Sequence, residues 1–129
     1  MLFFQEINIL TDQYANYKNI IYEVEYKKKH DEEVLEDQKN ALQISAQNLK
    51  LMSNKIYVHF KSIEPVLELS VEQVAKMTDM YNKITKGGLL PVVDDVECFV
   101  IEINKLLVTD VIRNLLETAQ DTLDSLYSR

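Results

Sequence analysis

Lys27-Lys28-Lys29-His30-Asp31-Glu32-Glu33 is the stretch on which the reading of the fold turns. It is wholly polar, and it lies inside a long region with no Gly or Pro: the first such residue is Pro65, followed by Gly87, Gly88 and Pro91. On either side of it runs one heptad series, Ile7, Tyr14, Ile21, Lys28, Leu35, Leu42, Leu49, Ile56 and Ile63, apolar at every position except Lys28. A companion series three residues on starts apolar (Leu10, Tyr17, Val24), turns polar (Asp31, Gln38, Ser45) and ends mixed (Met52, His59). Series offset in this way form the seam by which a helix meets a partner. The first 25 residues therefore carry a full seam and the middle carries half of one.

Two readings of the polar stretch compete. The seam keeps its register across it (21, 28, 35) and no Gly or Pro marks a turn, which favours one continuous helix over residues 3–63. Alternatively the stretch is a turn that folds residues 3–26 back on residues 34–63. A continuous helix of about 60 residues would be about 90 Å long, whereas a compact chain of this size has a radius of gyration near 14 Å. Such a rod would need a partner chain to cover its seam.

Further along, Ile44, Leu51 and Val58 form a second apolar face, which suits packing against more than one neighbour. Ser62 is placed to cap a short turn with Pro65 near its start, where the missing N–H is harmless. Ser70 with Gln73 is a capping-box pair, so a helix is expected from Val71 to about Lys86 with Val74, Met77, Tyr81 and Ile84 inward. Gly87-Gly88 should end it in a left-handed cap. After Pro91, the three-to-four spacing of Val92, Val96, Phe99, Ile103 and Leu106 predicts another helix, with Asp94, Asp95 and Glu97 favourably placed near its N-terminus. Thr109-Asp110 is expected to interrupt it and cap a last helix carrying Val111, Leu115, Ala119, Leu123 and Leu126. The fold class is all-α: a long N-terminal helix with coiled-coil-like heptads over residues 3–63 (or, on the second reading, a helical hairpin), packed with two to three shorter helices from residues 65–129 into one helical bundle.

Composition narrows the function classes. With two Gly and two Pro in 129 residues, there is no supply of turns for a β-sandwich or barrel, and no glycine cradle for phosphate. The formal net charge of −7 gives no electrostatic footprint for nucleic acid. Lys27-Lys28-Lys29 is balanced at once by Asp31-Glu32-Glu33 and reads as solvated surface. An acidic chain is also repelled by anionic lipid, and no apolar run is long enough to span a bilayer. The start, Met1-Leu2-Phe3-Phe4, meets Glu6 and has no basic residue before Lys18, unlike a secretory signal. The single cysteine fits a reducing compartment. A cytoplasmic location is expected, with leaderless export left open.

Reactive constellations are sought and not found. His30 and His59 have no partner at a metal-binding spacing, and neither has a Glu three residues earlier, as a helical carboxylate site needs. Cys98 sits in a Val/Phe/Ile run beside Glu97 and Glu102, which reads as a buried, unreactive thiol. Neighbouring acids such as Asp94-Asp95 do not face each other on a helix. No catalytic, cofactor-binding or metal residue is assigned, and no cofactor is expected.

Aromatics crowd the first 60 residues, and tyrosine suits a partly wet interface. The expected interaction residues are Phe3, Phe4, Ile7, Leu10, Tyr14, Tyr17, Ile21 and Val24. The expected function is a non-enzymatic helical protein–protein interaction or assembly subunit, pairing through this seam with an identical or different protein chain, with no nucleic acid and no membrane as partner. The alternative is a compact acidic helical bundle that binds one partner protein, in the manner of an inhibitor, immunity protein, antitoxin or chaperone.

Overall fold

Asp31 decides the architecture. In the computed structural model, which describes residues 2–127 (without the side chains of Leu2, Phe3, Leu107 and residues 109–114), the first helix α1 spans Leu2–Lys29 and stops there. Asp31 adopts the left-handed conformation, φ 56°. The Glu32 N–H donates to the Lys27 carbonyl (2.8 Å), and the Asp31 N–H reaches toward the Lys28 carbonyl (3.4 Å). This six-to-one and five-to-two pattern is a Schellman cap, normally built on glycine. Aspartate is one of the few other residues that visit this region, at some steric cost. The continuous helix expected over residues 3–63 is thus corrected to a hairpin: α2 spans Glu36–Leu67 and packs antiparallel along α1.

Gln38 holds the two helices together at the turn. Its side-chain oxygen accepts from the Leu35 N–H (3.1 Å) and from Lys27 Nζ (2.7 Å), and its amide donates to Glu23 (2.8 Å). At the far end His59 of α2 meets Glu6 of α1 at 3.0 Å. Between them the two seams bury against each other. Ile7, Leu10, Tyr17 and Val24 of α1 face Leu42, Leu49, Ile56 and Phe60 of α2, all in the core. Lys28 and Leu35, the middle of the apparent heptad series, lie at or in the turn and are exposed. Each helix has its own apolar phase, and the shared register across the turn is coincidental.

α2 also runs further than expected. Ser62 caps no turn; its hydroxyl donates back to the His59 carbonyl (2.6 Å). Pro65 lies inside the last turn and the helix ends at Glu68 in a left-handed cap, φ 53°. α3, Val71–Lys86, forms as its capping box implies: the Gln73 N–H donates to Ser70 Oγ (3.1 Å) and the Ser70 N–H to Gln73 Oε1 (3.0 Å). Met77 and Ile84 are fully inward, Val74 and Tyr81 half-buried. Tyr81 stacks on Tyr57 of α2 with ring centroids 4.1 Å apart. Gly87 ends the helix in right-handed rather than left-handed geometry, and it is Gly88 that takes the positive φ. Any side chain at Gly87 would strike the Lys83 carbonyl.

α4 spans Val93–Tyr127 without a break, so the expected interruption at Thr109-Asp110 does not occur. Threonine and aspartate cost a helix interior well under about 1 kcal/mol each, too little to stop it without Gly or Pro. Far from being one of the shorter helices, α4 is the longest of those described. Val96, Phe99, Val100, Ile103 and Leu106 are buried, whereas Val92, expected inward, is exposed. The helices form a ring in which α1 touches α2 and α4, and α3 touches α2 and α4. The described residues form an all-helical bundle without strands.

Candidate functional site

The bundle has a definite end, and α4 runs past it. The buried Tyr17 hydroxyl donates to the Pro91 carbonyl (2.6 Å), which fixes the start of α4 level with the middle of α1. From there α4 descends antiparallel to α1, and at equal rise per residue Leu106 comes level with Leu2. On the other side Lys76 of α3 bridges Glu102 of α4 at 3.2 Å, and the same count sets Val71, the first residue of α3, level with Leu107. By this count α1 and α3 both begin near the level of Val108, and among the described side chains beyond it, residues 115–127, none is buried. Residues 109–127 extend about 28 Å further as a helical arm.

The arm is not polar all round. Every residue from Leu115 to Tyr127 is exposed, and among them Leu115, Leu116 and Leu126 keep 65%, 66% and 61% of their surface in water. At 3.6 residues per turn, Leu116, Ala119, Leu123 and Leu126 fill alternate a and d slots, with Leu115 and Tyr127 beside them. Glu117, Asp121 and Asp124 lie on the opposite side. Gln120 Nε2, on the flank of the leucine strip, donates to Asp124 Oδ1 (2.9 Å), an intrahelical tie. The arm is thus an amphipathic helix whose apolar face, over residues 115–127, is left in water. At the arm's base lies a shallow, mainly apolar cleft lined by Leu69, Val100, Ile101, Leu106 and Val108.

A second apolar strip lies on α2. Ile44, Leu51 and Val58, expected to receive later helices, instead point away from the core and are exposed. Lys55 lies among them, and residues 38–63 of α2 carry four lysines and no acid.

The expected interaction residues are distributed differently. Ile7, Leu10, Tyr17 and Val24 are buried in the chain's own core, and Tyr14 and Ile21 pack half-buried against it. Phe4 stays 45% exposed, and the Phe3 side chain lies outside the described residues, as does that of Val111. The seam is used within the chain. The arm is among the apolar surfaces left facing water, and one available signal pointed to it. The sequence after Pro91 has no Gly or Pro either, while α3, bounded by Ser70 and Gly87, is too short to accompany a helix of that length.

Elsewhere the chemistry is quiet. Cys98, expected to be buried, is exposed because it falls on the outward side of α4 between Val96 and Phe99. His30 bonds through Nδ1 to the Tyr26 carbonyl (2.9 Å) and stacks on the Tyr26 ring. Among the described residues no group of three or more His, Cys, Asp or Glu could hold a metal ion, and no helix is long and apolar enough to cross a membrane. No protein-family model matches the chain, and no curated protein or solved structure matches it.

Proposed function

We propose that the protein is a non-enzymatic assembly subunit that docks through the arm of α4 onto the helices of a partner protein. The observation that carries this reading is the leucine strip on residues 115–127, exposed on a helix that has outrun its own bundle. The bundle anchors the arm through Val96, Phe99 and Ile103, and burial of Leu116, Leu123 and Leu126 supplies the binding energy. Fully burying a leucine is worth about 1.5–3 kcal/mol. The strip replaces the N-terminal seam as the interaction surface, since that seam is already filled by α2. A reducing, cytoplasmic setting suits the exposed thiol of Cys98.

The test compares the native complex of the tagged wild-type chain with that of a Leu116→Glu/Leu123→Glu variant, sized by light scattering after gentle lysis. The wild type should run in a complex larger than one chain, and the variant as a folded lone chain. A variant that keeps the complex contradicts the proposal.

A second reading is the compact acidic bundle that binds one partner protein. The strip Ile44, Leu51 and Val58 on the outer side of the α1–α2 hairpin favours it. On that reading Leu51→Glu, and not the arm variant, abolishes the complex.

A further inference from the structure

We propose that the partner of the arm is the arm of a second copy of this chain, laid antiparallel to it. The inference rests on the docking reading above and names the occupant.

Charge is the first argument. In a coiled pair the residues beside the seam decide which partner is tolerated. Over residues 115–127 those positions are Leu115, Gln120, Thr122 and Tyr127, all uncharged. Glu117, Asp121 and Asp124 sit on the far side of the helix. Two acidic arms can therefore meet without placing like charges against each other.

Side-chain size sets the direction. In an antiparallel pair an a residue faces a d residue of the other helix. Leu116 then faces Ala119 of the second copy, large against small, and the reverse contact follows from the two-fold axis. A parallel pair would set Ala119 against Ala119 and leave a gap where leucines should meet.

The third argument is reach. The arm supplies fewer than the three or four heptads a coiled coil usually needs. Centring the pair on Leu116 and Ala119 brings the tip of each arm, Leu126 and Tyr127, level with Val108 of the other. There it meets the rim of the cleft at Leu106 and Val108, beside Asn104 and Lys105. The contact is thereby lengthened onto the bundle at both ends, toward the size of a stable interface.

The experiment uses the purified full chain in two measurements. Sedimentation equilibrium of the wild type should show a monomer–dimer equilibrium, and Leu116→Glu/Leu123→Glu should weaken it at least about 100-fold, as the loss of two central apolar anchors implies. A nitroxide on Tyr127→Cys, beside the seam and in a Cys98→Ser background, should then report labels separated by about 28 Å along the helix axis, from nineteen residues of rise. A wild-type chain that stays monomeric at several hundred micromolar overturns the second copy as occupant and leaves the docking reading with a foreign helix. A dimer indifferent to the two glutamates overturns both. Labels closer than about 15 Å overturn the antiparallel direction.

Discussion

Asp31 ends α1 and turns the chain back toward α2. It holds a left-handed conformation at φ 56°, where an L side chain is under steric strain of about 1–2 kcal/mol. Asp31→Gly should therefore raise the unfolding free energy read from urea denaturation by about 0.5–1 kcal/mol after the entropy cost of glycine. Asp31→Val should lower it by about 1–2 kcal/mol, because a β-branched residue fits that region worst. Ser53 is the converse case. It is fully buried, and its hydroxyl has no hydrogen-bond partner among the described residues. Ser53→Ala should gain about 1 kcal/mol by removing an unsatisfied polar group. Tyr17 links the fold to pH. Burial, helped by the nearby Glu25 carboxylate, pushes its phenol up to about 12 from 10.0. The folded state thus favours the protonated phenol. Its stabilisation is complete below pH 10 and falls away as pH rises from about 10 to about 12. Tyr17→Phe should remove that alkaline component from a stability–pH profile, while losing about 1 kcal/mol at neutral pH through the orphaned Pro91 carbonyl. At this scale the sequence was partly legible. The Ser70–Gln73 capping box could be read directly, because cap chemistry is local. Asp31 as a cap could not, because an aspartate announces a left-handed turn far less clearly than a glycine.

The helices show why periodicity alone misjudged the long arm. The seams of α1 and α2 were both present in the sequence, and both are buried as seams. What periodicity could not distinguish was whether they face each other or face a second chain, since residue spacing is the same in either case. Six residues of turn happened to preserve the heptad phase between Ile21 and Leu42. Gln38 then fixes the hairpin by bonding to Glu23, Lys27 and the Leu35 N–H. For α4 the error ran the other way. Thr109-Asp110 was read as a break, which divided one long helix into two ordinary ones and concealed the arm. Since the side chains from Leu115 to Tyr127 all face water, Leu116→Glu and Leu123→Glu should each change the unfolding free energy of the dilute chain by no more than about 0.5 kcal/mol. By contrast Phe99→Ala, in the buried half of the same helix, should cost about 3–5 kcal/mol. Urea denaturation of the variants checks both, and the contrast separates the anchored half of α4 from the free half.

At the scale of the whole molecule, the expectation that a long N-terminal helix outreaches its bundle is overturned, and α4 is the helix that runs on. The bundle is a ring of four helices as far as Val108, closed by the hairpin at one end and by the α2–α3 turn at the other. The chain's acidity does not oppose assembly, because the arm carries its carboxylates away from its leucines. On the proposed reading, function is tied to which apolar strip meets another protein, the arm of α4 or the outer side of α2. Placing a photoreactive phenylalanine analogue at Leu116 or at Ile44 and irradiating the chain in its native cells distinguishes them directly. The account predicts a covalent adduct to a protein chain from position 116 and none from position 44. An adduct from position 44 alone, or from neither position, would contradict it.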